Sequence, residues 1–262
     1  MFQVPNGHQW QHLFQLTEDI RQKQPWLKYP EELIFTFVKE GRDEPFYITI
    51  HGFEEDVKGI SVYRGKDDIN KYLNILAESD AVSIQTIIAN QSCTSALYGD
   101  KSMLGAGDFT AMELAQFVPN PTSQNYIYFR VYRPGFTPWY IGTDELDLLS
   151  MGLAAFLDAD QRLDRQTFDP AEETILYTEN NGVINVSIAP FDEKLKEREP
   201  LIVKDDFYIA KLKRLKKYGR CLEIDICYMN SPVGSNLGPI PFFPKLCIIA
   251  DVDQGFIADQ CI

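Results

Sequence analysis

Histidine is scarce in this chain, and the short motifs that mark common enzyme classes are missing. Three histidines occur among 262 residues, which leaves few positions for acid–base chemistry based on imidazole. The sequence contains no GxxxxGKS/T loop, no GxGxxG after a strand pattern, no GxSxG turn and no HExxH pair. These absences argue against P-loop hydrolases, Rossmann-type dinucleotide enzymes, α/β-hydrolases and HExxH zinc proteases. We therefore assign no catalytic residue from motifs.

The chain also lacks a positive net charge, CxxC cysteine pairs and long apolar runs. Lys and Arg total 25 against 38 Asp and Glu, a net charge of −13. Because phosphates would be repelled, we expect neither nucleic acid nor a membrane as partner. No stretch approaches the ~20 apolar residues of a membrane span, and the first residues lack a signal-peptide pattern. Five cysteines without a CxxC pair are typical of a reducing compartment. We predict a cytoplasmic protein. Its binding partner is unknown, and the class of partner that we consider is another protein.

Apolar residues recur with the period of a helix in some segments and with the period of a strand in others, and together these patterns predict an α+β fold. A helix pattern from about Gly7 precedes three strand patterns, LIFTFVK, FYITIHG and GISVYR, whose short spacing favours an antiparallel meander. Helix patterns also cover 65–78 and 144–159. The polar stretch 158–174 is the best boundary candidate. We predict a first α+β domain over 1–160, with an N-terminal helix and an antiparallel sheet against which helices pack.

The remaining segment, 172–262, predicts a smaller, mainly β domain with one helix over about 205–218. It opens with a hairpin whose turn is Asn181–Gly182, since this pair suits the positive φ angles of a type I′ turn. Its last strand pattern reaches Ile262, from which we expect the second domain to be incomplete at its C-terminus.

The stretch FRVYRPGFTPWY, residues 129–140, is the main candidate for a binding surface. Residues 126–133 alternate between an apolar face and a face of tyrosine and arginine. Pro134 and Gly135 fit a type II turn, and Pro138 forces the residue before it to be extended. We interpret the stretch mainly as a rigid corner with an aromatic anchor. The alternative is a ligand groove, in which Arg130 or Arg133 pairs with an anion; its candidate residues are Tyr128, Arg130, Tyr132, Arg133 and Trp139.

Three segments resemble a family of uncharacterised bacterial proteins that pair two domains of unknown function. FRVYRPGFTPWYIGTDELDLL resembles the FRxYRPGYxPW strand and turn of that family, and GISVYRGKDDINKYL resembles its GLAxYRG step from strand to helix. PFFPKLCIIADVDQGFI resembles its RPYFPxLLLVxDxxSGxIL segment, with Gln254 at the position of the serine. The resemblance implies two domains and no assigned activity. Some relatives carry a SEC-C tail, which is not found in this sequence.

Three aspartates suggest a metal-ion alternative. Asp225 and Asp251 lie in strand patterns, and Asp253 follows in a turn. Clustered carboxylates can hold Mg²⁺ or Mn²⁺, as in nucleases of the RNase H-like type. A divalent-metal nuclease or phosphohydrolase would require these carboxylates to converge. The other interpretation is ordinary turn chemistry around Asp253 and Gly255.

The hypothesis that we favour from the sequence is a non-enzymatic binding or scaffold module without a cofactor. It depends on two observations. The sequence has no complete set of catalytic residues, and it has well-formed turn signals and many aromatic residues. Its expected contact surfaces are the tyrosine–arginine strand face and the proline-rich loop 229–244.

Overall fold

The computed structural model describes residues 5–52, 57–78, 82–119, 126–163, 169–191, 205–214, 219, 221–234, 240–253 and 255–261. The chain divides into two compact units, Met1–Glu193 and Lys194–Ile262. The mixture of helices and strands in both units confirms the predicted α+β class. No helix in these described ranges is long and apolar enough to cross a membrane.

The first unit is built on a seven-stranded sheet with the order β5-β4-β3-β2-β1-β6-β7. Its strands are β1 (Ile34–Lys39), β2 (Phe46–His51), β3 (Lys58–Arg64), β4 (Cys93–Gly99), β5 (Tyr126–Tyr132), β6 (Glu173–Asn180) and β7 (Val183–Pro190). Its helices are α1 (Gly7–Lys23), α2 (Gly65–Leu76), α3 (Ile84–Asn90), α4 (Ala106–Leu114) and α5 (Thr143–Arg162), with short 3₁₀ turns at Pro25–Leu27 and Lys101–Met103.

Local signals in the sequence account for several element boundaries. Asn6 caps α1, since its side chain accepts a hydrogen bond from the Gln9 amide and the Gln9 side chain accepts one from the Asn6 amide. Asn181 and Gly182 both have positive φ, 49° and 73°, at the turn between β6 and β7. This is the two-residue hairpin that the Asn–Gly pair predicts.

The β6–β7 hairpin belongs to the sheet of the first unit, although the sequence pattern placed it at the start of the second domain. β6 pairs in parallel with β1, from Ile34 opposite Thr174 to Lys39 opposite Glu179. The sheet is therefore mixed, whereas the expected sheet was antiparallel. The first compact unit ends at Glu193, beyond the polar stretch 158–174. Two parallel strands need a long connection, and here the connection contains every element between β1 and β6. Local sequence pattern could therefore not reveal that β1 and β6 pair.

One side of the sheet, the apolar face, carries the main core. Its strand residues alternate with those of the opposite side, and α1 and α5 cover it. Aromatic rings fill much of this layer: Phe35 meets Phe156 of α5 edge-on at 5.2 Å, and Phe37 stacks on Phe46 at 4.9 Å. The strand residues of this face include Phe35, Phe37, Phe46, Ile48, Ile50, Ile60, Val62, Ala96, Phe129 and Val131.

The second unit contains a three-stranded antiparallel sheet with the order β10-β9-β8. Its elements are α6 (Asp206–Lys213), β8 (Leu222–Tyr228), β9 (Lys245–Asp251) and β10 (Phe256–Cys261). In the described parts of the loop 229–244, the Met229 amide donates to the Pro244 carbonyl at 2.8 Å, and Val233 and Phe242 form an antiparallel bridge. The ends of this loop therefore continue the β8–β9 hairpin.

Candidate functional site

The second side of the large sheet, the polar face, gathers the hydroxyl, imidazole, thiol and phenol groups of four strands. The register places Thr49 opposite Ser61, and Ser61 opposite Ser95. The Ser61 hydroxyl lies 2.8 Å from His51 Nε2 and 2.7 Å from Ser95 Oγ. Helix α2 covers part of this face with Ile69. The polar face carries Tyr47, Thr49, His51, Ser61, Tyr63, Cys93, Ser95, Tyr128, Arg130 and Tyr132.

Burial favours the neutral forms of His51, Cys93 and Tyr63 on the polar face. Desolvation lowers the pKa of His51, against the opposing effect of the Glu31 charge. Desolvation also raises the pKa of the Cys93 thiol to about 11 and the pKa of Tyr63 well above its ordinary value. A thiol of this kind is a poor nucleophile, because the thiolate is the reactive form. The hydrogen bonds among these neutral groups link neighbouring strands of the sheet.

Arg130, a predicted binding residue, is fully engaged within the protein. Its guanidinium forms two hydrogen bonds with the Asp108 carboxylate, at 2.7 and 2.8 Å. It also lies over the rings of Tyr128 and Tyr140, with 5.0 Å to each centroid. Only 13% of its side chain is exposed, and 4% of that of Asp108. Arg130 therefore acts as a structural brace: it joins β5 to Asp108 through paired hydrogen bonds and contacts two tyrosine rings through cation–π interactions.

Arg133 repeats this arrangement at the start of the next helix. Its Nη2 donates to Glu145 Oε1 at 2.7 Å, while Glu145 Oε2 accepts from the Gly142 amide at 3.0 Å. Asp108 likewise accepts from the Gly105 amide at the start of α4, at 2.8 Å. Each arginine thus pairs with the acidic residue that caps a helix N-terminus, where negative charge is favourable.

The corner between β5 and α5 has the predicted turn. Gly135 has a φ of 82°, and the Phe136 amide donates to the Arg133 carbonyl at 3.0 Å, as in a type II turn. The Gly135 amide donates to the Ile88 carbonyl of α3 at 2.8 Å. Trp139 bridges back to Val131 on the outer side of β5. The corner is therefore held by backbone hydrogen bonds on both sides.

A cleft of about 140 Å³ opens where β3 ends, β4 begins and β5 ends. We call it the strand-end cleft. Arg133 is one-third exposed at its rim, and Cys93 lies in its wall, buried. The cleft is lined by Val62, Arg64, Asp68, Ser92, Cys93, Thr94, Val131, Tyr132, Arg133, Glu145 and Leu148.

The charges of the strand-end cleft are not evenly compensated. Asp68 accepts hydrogen bonds from Lys71 Nζ at 3.2 Å and from Ser92 Oγ at 2.6 Å. Glu145 is paired with Arg133. The exposed Arg64 guanidinium has no ion-pair partner within the described ranges. Both carboxylates of the cleft thus have a cation beside them, and one arginine remains available to an anion.

The predicted site residues are divided among three surroundings. Tyr132 and Arg133 line the strand-end cleft. Tyr128 and Arg130 belong to the aromatic brace with Tyr140, and Trp139 packs against the main core. The sequence did not single out Arg64, Asp68 or Ser92, although VYRGKDD lies in a segment that resembles the bacterial family. Arg64 directly precedes the positive-φ Gly65 at a strand-to-helix step, the local signal that could have identified it.

The aspartates of the metal-ion alternative do not share one surface. β8 and β9 pair in an unbroken register, with Leu222 opposite Asp251 and Asp225 opposite Ile248. Side chains alternate along a strand, so Asp225 and Asp251, three positions out of step, point to opposite faces. Asp225 is exposed and Asp251 is buried. The Asp253 carboxylate accepts from the Cys221 amide at 3.2 Å and so links the β9–β10 turn to the residue before β8. No group of three metal-ligating side chains occurs within the described part of the chain.

Comparisons with known proteins identify domains without an assigned activity. Residues 10–179 match the family described as a domain of unknown function, DUF7309. Residues 208–262 match a second domain of unknown function, DUF6930. No curated protein and no solved structure matches the chain. The strand-end cleft lies within the residues of the first match.

Proposed function

This chain belongs to the DUF7309 family, and we propose that it is a non-enzymatic binding module whose strand-end cleft holds a small anion at Arg64. The ligand class is a compact carboxylate or phosphate compound. The single observation that carries this proposal is the Arg64 guanidinium, which lines the cleft while the cleft carboxylates Asp68 and Glu145 already have cationic partners.

The geometry around Arg64 favours an anionic group over a cation. A guanidinium presents several N–H donors in one plane and binds carboxylate or phosphate through paired hydrogen bonds. Arg133 uses one nitrogen for Glu145, so its other donors remain near the same opening. A volume of about 140 Å³ is below that of a drug-sized pocket. The cleft therefore suits one anionic group with a few attached carbon atoms.

Binding without turnover is supported by the state of the neighbouring groups. The thiol in the cleft wall, Cys93, has its pKa raised to about 11 by burial. A nucleophile would need the opposite shift and a base within hydrogen-bond reach. Cys93 instead lies 3.6 Å from the Ser95 hydroxyl.

A reducing cytoplasm is the setting that we infer for this module. Cys93, Cys221 and Cys227 are free thiols, and free cysteines persist where the environment is reducing. The strongly acidic composition, with a net charge of −13, favours a small anion over a polyanion. A single local arginine can hold one anionic group, whereas the field of the whole chain repels a nucleic acid.

The test is a titration of the whole protein with inorganic phosphate and, separately, with acetate. Binding is followed by isothermal calorimetry and by the backbone amide signals of 62–68, 92–94 and 131–133 at low ionic strength. We expect saturable binding and perturbed signals at those positions. Arg64→Gln removes the charge at similar size and should weaken binding by about tenfold or more, the effect of losing a charge-assisted pair.

The matched control is Arg162→Gln, which alters another arginine in the first unit that pairs with Asp158 and does not line the cleft. It should leave binding unchanged. Glu44→Gln should strengthen binding slightly, because the Glu44 carboxylate lies against Gly65, the residue next to Arg64. Equal weakening by the two arginine variants, or no saturable binding of either probe, would refute the proposal.

A further inference from the structure

Among the strands that the structure describes, β7 is the last of the large sheet and has one unpaired edge. β7 follows β6 at the end of the strand order, and no other described strand pairs with it. Its sequence, VINVSIAP, has no charged residue, and its register with β6 runs without a bulge from Glu173–Pro190 to Asn180–Val183. Natural sheets usually protect such edges with charges, bulges or inserted prolines. β7 carries none of these before its final residue.

The hairpin geometry identifies which backbone groups point away from β6. A two-residue turn is closed by a hydrogen-bonded pair, here Asn180 and Val183, and bonded pairs then alternate along an antiparallel ladder. The Phe191 amide donates to the Glu172 carbonyl at 2.9 Å, which agrees with odd-numbered residues bonding inwards. The even-numbered residues 184, 186 and 188 therefore direct their N–H and C=O groups outwards. Pro190, which has no N–H, also falls on the outward side.

The opposite edge of the same sheet, β5, is blocked by the protein itself. Val131 and Trp139 exchange two backbone hydrogen bonds there, at 2.8 and 3.0 Å. The Arg130 guanidinium donates to the Phe129 carbonyl at 2.7 Å. A strand could not be added at β5 without breaking these bonds. The two edges of one sheet thus differ in whether their hydrogen-bonding groups are already used.

We propose that β7 pairs antiparallel with β7 of a second copy of this chain, across a two-fold axis at Val186. In this register Val186 faces Val186 of the other copy, and Ile184 faces Ile188. On the other face, Asn185 lies opposite Ser187. The inference does not depend on the proposed anion site.

The choice of a second copy follows from the side chains. Every cross-strand pair in this register is either aliphatic with aliphatic or polar and uncharged with polar, so no like charges meet. The three outward-facing pairs would exchange about six backbone hydrogen bonds. Strand β8 does not meet this condition. If it paired with β8 of a second copy across a two-fold axis at Ile224, Glu223 would face Asp225 of the other copy, which is an unfavourable like-charge pair. Two-fold self-pairing requires a self-complementary patch, and β7 meets that requirement.

The first test measures association of the full-length chain by sedimentation from micromolar to tenths of millimolar concentration. We expect a monomer–dimer equilibrium. Val186→Pro removes an outward N–H and leaves the bonded pairs with β6 in place, as is tolerated on edge strands. This variant should be monomeric throughout. Val186→Thr, which is also β-branched and keeps the N–H, is the control and should still dimerise.

Hydrogen exchange gives a second measurement at the same positions. The amides of Ile184, Val186 and Ile188 should exchange more slowly as protein concentration rises, because pairing protects them. The amides of Asn185 and Ser187 already bond to β6 and should change less. A wild-type chain that stays monomeric at every concentration would overturn the proposal. Protection of the three amides in such a monomer would place another segment on this edge and would also overturn it.

The register is tested with two double variants on the less buried polar pair. Asn185→Glu with Ser187→Glu puts like charges opposite one another twice. Asn185→Lys with Ser187→Glu puts opposite charges there twice. The second variant should dimerise more tightly than the first by roughly tenfold. Equal dissociation constants would refute this register. These two variants also test the proposal if Val186→Pro fails to fold, since Asn185 is exposed and Ser187 is only half-buried.

Discussion

The two faces of the seven-stranded sheet are held by different interactions. On the apolar face, rings such as Phe35 and Phe156 are completely buried and meet edge-on. On the polar face, Ser61 is equally inaccessible, at 3% exposure, but it is held by hydrogen bonds to His51 and Ser95. Apolar burial supplies most of the free energy of folding, whereas a satisfied polar network contributes little net free energy and fixes positions.

The candidate site lies where residues of both faces meet. Where α5 packs on the apolar face, Val62 lies only 2.8 Å from where a Cβ on Gly152 of α5 would be. At the strand ends, by contrast, Arg64, Arg133 and the starts of α2 and α5 surround the strand-end cleft, whose lining includes Val62 of the apolar face and Tyr132 of the polar face. Each side of the sheet is therefore held by its own kind of interaction, and the cleft opens at the edge that the two sides share.

The largest expected effect is on the apolar face. Phe156→Ala removes a ring that contacts Tyr29 and Phe35 and should lower the free energy of unfolding by about 4 kcal/mol, as large-to-small core changes do. Chemical denaturation measures this. The control Val183→Ala alters a residue that is 69% exposed and should change stability little. A small effect of Phe156→Ala would mean that this face is not the principal core.

The next effect lies at the polar edge of the sheet. Arg130→Met leaves the buried Asp108 carboxylate without its cation and should cost about 3 kcal/mol. Adding Asp108→Asn should recover part of that loss, since no buried charge then remains unpaired. Arg162→Met, in an exposed pair with Asp158, should cost no more than about 1 kcal/mol. A double variant as unstable as the sum of its single changes would contradict the brace.

A smaller, pH-dependent effect is expected at Asp160. Burial opposes its ionisation, but hydrogen bonds from Lys23, Lys28 and Tyr29 outweigh this and lower its pKa to about 2. Because the folded pKa is below the unfolded one, near 4, the stabilisation is present above about pH 4. It is lost as pH falls towards 2. Asp160→Asn should therefore cost about 2 kcal/mol at neutral pH. A stability difference from the wild type that does not shrink in acid would contradict the assignment.

Within the polar network, Ser61→Ala should have a modest effect of about 1 kcal/mol, because it removes the shared partner of His51 and Ser95. Thermal unfolding at neutral pH measures it, with Ser102→Ala at an exposed position as control. Loss of much more stability would show that the polar face is as important to folding as the apolar face.

The smallest expected effect is chemical and leaves stability unchanged. Iodoacetamide should modify the exposed Cys221 readily, while Cys93 should react only after unfolding, because burial raises its pKa to about 11. Mass spectrometry of peptides before and after urea treatment distinguishes the two sites. Rapid modification of Cys93 in the folded protein would show that the strand-end cleft opens to its wall.

Local pattern could predict much of the first unit for a physical reason. Alternation in FRVY, the Asn6 cap, the Asn181–Gly182 turn and the Pro134–Gly135 corner each depend on a few neighbouring residues, and short-range sterics decide them. The parallel β1–β6 pair was missed, because its partners are separated by most of the first unit.

Sequence reasoning identified some residues of the candidate site and missed others. Tyr132 and Arg133 were identified, since they stand in a conspicuous stretch. Arg64 was not singled out, because its interest comes from the lack of an ion-pair partner among the described residues, which the sequence cannot show. Asp225 and Asp251 looked suitable for a shared metal ion until the β8–β9 register assigned them to opposite faces.

The sequence by itself determined the element types, the tight turns, the acidic character and the lack of familiar catalytic motifs, because these depend on composition and on contacts between near neighbours. Only the tertiary structure decided which arginine is a brace, which arginine has no ion-pair partner among the described residues, and which edge of the sheet has no described strand beside it. Pairing of charges and of strands joins residues far apart in the chain. Its outcome depends on which of them the folded backbone brings within a few ångströms of each other.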